Sequence, residues 1–141
     1  MAKYVLNIEP KPQSRPRFSS KSGAYEKSDM KQWKRMFGLL LMQQKAKIVE
    51  KGSIFVAMTF YIRPPQVISK IKTKRPRSNL ELETMYVQKK PDIDNYVKAV
   101  FDASNGILFK DDGQVAELSA KKMYSLQPRI EIEIKTLEES T

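Results

Sequence analysis

The chain has 141 residues, a formal net charge of +10 and 40% hydrophobic content, but no histidine and no cysteine. That length suits one domain with a real core, that hydrophobic share suits a folded globule, and that charge favours a polyanionic partner. The two missing residue types exclude disulfides, zinc–thiolate centres, histidine metal clusters, a histidine general base and Ser–His–Asp catalysis.

Residues 3–9 alternate, with Tyr4, Leu6 and Ile8 on one face, and predict a strand. Residues 10–27 hold three prolines and four serines among scattered bases and predict an extended segment. Ser28 suits the cap of a helix from about Asp29 to Val49, with Met30, Trp33, Met36, Phe37, Leu40 and Leu41 in one stripe. Gly52 closes that segment, and the β-branched and aromatic run 53–62 predicts a buried strand. Pro64-Pro65 stops it, and residues 63–79, with Lys70, Lys72, Lys74, Arg75 and Arg77, predict a mobile basic loop. A short strand is expected near Met85-Tyr86-Val87. A helix from about Asp94 to Asn105 follows Pro91, and Gly106 suits the left-handed position beyond its last turn. Residues 114–124 and 129–136 predict two strands joined at Ser125-Leu126-Gln127-Pro128 as an antiparallel hairpin. In the second, Ile130, Ile132 and Ile134 alternate with Glu131, Glu133 and Lys135. The expected fold is a single α+β domain over 1–141: two layers, a small mixed or antiparallel sheet with helices packed on one face. The N-terminus has no long apolar stretch that would mark a secretory signal, and no run reaches the length of a membrane span. A cytoplasmic protein is the expectation.

The most informative stretch is Lys90-Pro91-Asp92-Ile93-Asp94-Asn95-Tyr96-Val97-Lys98, followed by Lys110-Asp111-Asp112-Gly113-Gln114. Clustered carboxylates repel one another and raise one another's pKa, so acids gathered in a basic chain need a positive partner. A hard cation such as Mg²⁺ supplies one, because it takes a few oxygen ligands and keeps several waters. Extended backbone would point Asp92 and Asp94 the same way, and a helix start would place both in its first turn. Lys98, one turn beyond Asp94, reaches the same site. The bland alternative is a helix cap plus a surface ion pair of about 0.3–0.5 kcal/mol. A cap explains one aspartate, not the doublet with Asp111 and Asp112 downstream. EF-hand and phosphatase-type DxD patterns both fail on the flanking residues, and a PD…ExK nuclease pattern would have to be forced across intervening elements.

Taken together, KPDIDNYVKAVFDASNGILFKDDGQVAEL resembles the RusA-type Holliday-junction resolvases, and Lys11-Pro12-Gln13-Ser14-Arg15-Pro16-Arg17-Phe18 is similar to that family's basic, proline-containing segment. The resemblance implies a small α+β homodimer that cuts four-way DNA junctions with Mg²⁺. It implies Asp92, Asp94 and Asp112 as metal-binding catalytic carboxylates and Lys98 as the active-site lysine. Asp111 would stand beside them, either behind the ligands or as a solvent-facing turn residue, and Asp102 would be structural. Arg15, Arg17, Lys72, Lys74, Arg75, Arg77, Lys89 and Lys90 head the expected phosphate contacts, with Lys21, Lys27 and Lys70 beside them. Phe18 and Tyr25 are candidates to stack on unpaired bases. The functional expectation is a Mg²⁺-dependent junction resolvase acting by paired symmetric nicks in recombination and repair. The alternative is a catalytically inactive nucleic-acid-binding module of the same fold.

Overall fold

A computed structural model describes residues 1–14, 17–19 and 23–137, with side chains outside 15–25. The first strand, β1 (Ala2–Leu6), buries Tyr4 and Leu6. A separate two-stranded ribbon follows, β2 (Arg17–Ser19) with β3 (Gly23–Tyr25). Helix α1 (Ser28–Gln43) buries Met30, Trp33, Phe37 and Leu41, the inner part of the predicted stripe. Lys27, not Ser28, takes the cap position, with extended backbone and no side-chain cap. The helix ends at Gln43, short of the expected Val49. Lys45 turns left-handed at φ 57, and the Val49 N–H donates to the Leu108 carbonyl at 2.9 Å. No breaker residue marks that end in the sequence; pairing with a distant segment decides it.

Strand β4 (Ile54–Ile62) alternates buried and half-buried residues. Residues 63–79 correct the expectation of an irregular loop. They form α2 (Gln66–Ser69) and most of α3 (Lys74–Glu81), whose Leu80 is buried. Pro76 is the third helical residue of α3, where its missing N–H would have no helical partner. Residues 85–87 lie along strand β5 (Val115–Tyr124) as an isolated antiparallel bridge, Tyr86 opposite Met123. Helix α4 (Ile93–Ser104) buries Tyr96, Val97, Ala99, Val100 and Ala103, and Gly106 has φ 82 as expected. The last strand, β6 (Arg129–Thr136), buries Ile130, Ile132 and Ile134.

The main sheet has the order β1-β6-β4-β5. β6 pairs antiparallel with β1 and with β4, and β4 pairs parallel with β5. The predicted 114–136 hairpin therefore does not exist, because β4 lies between its two strands. The turn after β5 crosses the end of β4, where the Ser125 N–H donates to the Ile62 carbonyl at 3.0 Å. Alternation told which face of each strand is buried, but not which strand sits beside it. The most apolar strand, β4, is paired on both edges, and the Lys- and Glu-bearing β5 takes an edge. Helices α1 and α4 supply the buried residues that pack on the inner face of β1, β4 and β6, giving the expected two-layer α+β fold. Fully buried Phe37, Phe60 and Phe109 each contribute about 1.5–3 kcal/mol of transfer free energy to it.

Candidate active site

The acidic motif sits where α4 begins. Asp92 is the N-cap residue, extended at φ −69 and ψ 146, yet its side chain makes no capping hydrogen bond. Asp94 lies in the first turn, where the helix dipole favours negative charge. Both are exposed, and neither carboxylate has a hydrogen bond or ion pair among the described residues. Lys98 is also exposed and makes no ion pair with Asp94. The bland reading therefore explains the position of Asp92 but not its carboxylate, and the surface pair is not formed. Further along the helix, Asp102 pairs with Lys34 of α1 at 3.3 Å.

The segment before α4 is held from β5. Its Lys90–Pro91 peptide is cis, and the Lys122 ammonium donates to the Lys89 and Pro91 carbonyls, each at 2.8 Å. Lys122 thus fixes the chain on either side of Lys90 just ahead of Asp92. The N-terminal segment arrives from the other direction, with the Gln13 N–H donating to the Asn95 carbonyl at 2.9 Å. The Gln13 side chain donates to Glu26 at 2.8 Å, and Glu26 also accepts from Lys34. Partial burial alone would raise the Glu26 pKa. The Lys34 ammonium and the Gln13 amide outweigh it and hold the carboxyl below its ordinary value.

The second acidic pair divides into two roles. Asp111 caps a short 3₁₀ turn (Asp112–Gln114): its carboxylate accepts from the Gly113 N–H at 2.9 Å. Gln114 completes the capping box by accepting from the Asp111 N–H at 3.3 Å, and its amide donates to Val49 and Gly52. A Cβ on Gly113 would meet the Asp111 carboxylate at 2.7 Å, so that position has no room for a side chain as it stands. Asp111 is thereby committed to the turn, while Asp112 is half-buried with no partner among the described residues.

Asp112 does not close on Asp92 and Asp94 to make a cage. Among the described residues, no three His, Cys, Asp or Glu side chains form a group able to hold a metal ion. The topology gives the reason. Asp92 lines a cleft against Ala120, Lys121 and Lys122, whereas Asp112 precedes the first residue of β5. Val115 and Ala120 alone are about 16 Å apart on an extended strand. In donor chemistry Asp92 and Asp94 still suit Mg²⁺. They are oxygen donors without competing partners, and this ion is content with one or two carboxylates completed by water and a phosphate.

The cleft beside Asp92 has a volume of about 640 Å³ and is lined by Lys89, Lys90, Lys121 and Lys122, with Tyr86 at its side. Lys89 and Lys90 were expected from the sequence; Lys121, Lys122 and Tyr86 were not. The only signal for them was a lysine pair interrupting β5, which alternation alone does not connect to residues 86–92. Of the remaining basic set, Lys72, Lys74 and Arg75 are exposed and unpartnered among the described residues. Arg77 is instead engaged inside its own segment, donating to the Ser69 carbonyl and to Glu81, both at 2.8 Å. Arg15 and Lys21 lie outside the described residues, as do the side chains of Arg17, Phe18 and Tyr25.

Residues 7–135 match the family described as Endodeoxyribonuclease RusA. The chain belongs to that family. It is also 34% identical over 136 residues to "Uncharacterized protein YqaN" of Bacillus subtilis (strain 168), covering 94% of each chain. The RusA match spans the N-terminal segment, α4 with its unpartnered aspartates, and the 3₁₀ turn, so every element described around this site lies inside it. A RusA-family chain is by that membership an endodeoxyribonuclease-type protein. No helix of the described residues is long and apolar enough to cross a membrane.

Proposed function

We propose that this protein is a Mg²⁺-dependent, structure-selective endonuclease that resolves four-way DNA junctions by paired symmetric nicks, acting as a homodimer in DNA recombination and repair. The observation that carries the reading is the pair of unpartnered carboxylates opening α4 beside a lysine-lined cleft, in a chain of the RusA family. Asp92 and Asp94 would hold the ion, with Asp112 as third acid. Bound there, Mg²⁺ would make hydroxide available near neutral pH and offset charge on the attacked phosphate, in a chain that has no histidine to do either. Lys98, free of any ion pair among the described residues, would place its ammonium on the phosphate as charge builds in the transition state. Lys89 and Lys90 would hold the strand by its phosphates and orient it towards Asp92. Two-fold pairing would supply the second site for the opposite strand. Met36, Leu39 and Met42, all about half exposed on the outer side of α1, support an interface there.

Incubation with a synthetic four-way junction and with linear duplex, in Mg²⁺ or EDTA, tests the proposal. Paired nicks in the junction arms in Mg²⁺ alone are expected, and no cleavage of either DNA would overturn it. A binding module without catalysis is the second reading. That reading requires junction binding with no cleavage in either buffer.

A further inference from the structure

We infer that the cleft beside Asp92 seats one unpaired nucleotide of the strand being cut, with Tyr86 stacking on its base and Lys90 holding its phosphate. This rests on the nuclease reading and deepens it.

Tyr86 is 69% exposed, unusual for an aromatic whose backbone is so firmly held. The Val87 N–H donates to the Lys122 carbonyl at 3.0 Å, and the Tyr124 N–H donates to the Met85 carbonyl at 2.9 Å. Glu83, just before this segment, is anchored by the Arg129 guanidinium at 2.6 and 2.8 Å. A large ring is thus presented to solvent from a fixed base, which core packing does not require. Base–aromatic stacking needs a ring held in this way and accepts any base, because every base has a π-face.

The cleft also has matching charge and size. Lys89 and Lys90 are exposed and have no side-chain partner among the described residues, whereas Lys121 alternates to the other face of β5, beside Glu131 and Glu133. Lys122 is committed to two carbonyls and acts as a positioning residue for the loop. A volume of about 640 Å³ is that of a small-molecule site, sufficient for a nucleotide and too small for a duplex. Apolar Val87, Ile93 and Ala120 line it beside the lysines, giving a base and a phosphate separate surfaces. Asp92 lies on its wall, so a strand seated there passes the carboxylates. A junction crossover, whose bases unstack more readily than those of continuous duplex, would fill such a seat; linear duplex would not.

The test uses the full chain, without added metal, and a four-way junction carrying 2-aminopurine at the crossover. Binding should change the 2-aminopurine fluorescence. Tyr86→Ala should lose that change and weaken junction binding about tenfold, and Tyr86→Phe should restore both. Lys90→Ala should lower the log–log salt slope for single-stranded oligonucleotide by about 0.7. In Mg²⁺, Tyr86→Ala should raise KM on junctions more than it lowers kcat. Wild-type fluorescence and KM in Tyr86→Ala, with cleavage still abolished in Asp94→Asn, would overturn the seat and leave the nuclease standing. A wild-type protein that neither changes the fluorescence nor cuts would overturn both.

Discussion

Two charged clusters in this molecule use the same kinds of side chain to opposite ends. Around Arg129, every group has a partner. The guanidinium donates to Glu83 and to Glu131 and lies 3.9 Å over the Tyr61 ring, and Glu83 also accepts from Ser125. Around the start of α4, Asp92, Asp94 and Lys98 have no partner among the described residues, although Lys98 stands one turn from Asp94. Pairing in the first cluster holds the 83–87 segment to the sheet. Its absence in the second leaves charge available to a ligand. The difference teaches that residue type does not assign a role here; satisfaction does.

The sharpest way to break the comparison is to neutralise the unpaired acids. Asp94→Asn or Asp92→Asn should reduce Mg²⁺-dependent cleavage at least about a hundredfold, a loss on the scale of removing one transition-state donor. Asp112→Asn should do the same if it completes the site. The melting temperature should hardly move, because none of the three carboxylates has a partner to lose among the described residues, and junction binding should persist or tighten. Full cleavage by Asp94→Asn, measured on a labelled junction, would end the assignment.

Lys98→Ala should slow cleavage by about ten- to a hundredfold while leaving thermal unfolding unchanged, since it breaks no ion pair. A mutant that cuts normally and melts earlier would show that Lys98 belongs with the paired cluster after all.

The basic residues can be sorted on the same principle. Replacing Lys72, Lys74 and Arg75 together should flatten the salt dependence of junction binding by about 0.9 in log–log slope for each phosphate the protein no longer neutralises. Arg77 is different, because it braces α2 against α3. Its removal should cost stability first. An unchanged salt slope in the triple variant would show that this surface does not touch DNA.

The smallest effect belongs to the paired cluster itself. Glu83→Gln should cost about 1.5–3 kcal/mol, the range for hydrogen bonds to charged groups, and leave cleavage chemistry intact below the melting temperature. Hydrogen bonding to Arg129 outweighs partial burial and holds Glu83 below the ordinary carboxylate pKa, and Glu26 is lowered by Lys34 and Gln13 despite its own burial. The unfolded chain binds these protons near pH ~4.3 and the folded chain only at lower pH. The stability they confer is complete above that range and is lost as pH falls through it. Melting curves should be flat from neutral pH to about 5 and decline below, less steeply in Glu83→Gln.

Much of this was legible in the chain alone. Alternation marked β4 and β6 closely, because burial on one face of a strand leaves a period of two. Proline, glycine and the apolar stripe placed α4 close to its observed ends, and the order of Asp, Asn and Lys in it carried the family. The sequence could also exclude histidine and thiolate chemistry outright. Partners were not legible. Residues 63–79 read as a loop because Pro64-Pro65 and a run of bases show no apolar stripe. Yet Leu80 anchors α3, and Pro76 in the first turn of that helix forgoes no bond. The hairpin failed because β4, far earlier in the chain, inserted between β5 and β6, and periodicity carries no information about neighbours across a sheet. The roles of Asp111 and Asp112, adjacent and identical in type, were separated only by which one faces the Gly113 N–H. Lys122 and Tyr86 joined the site for the same reason: strand pairing brought 85–87 against β5, a contact between segments far apart in the chain that only the packed sheet could create.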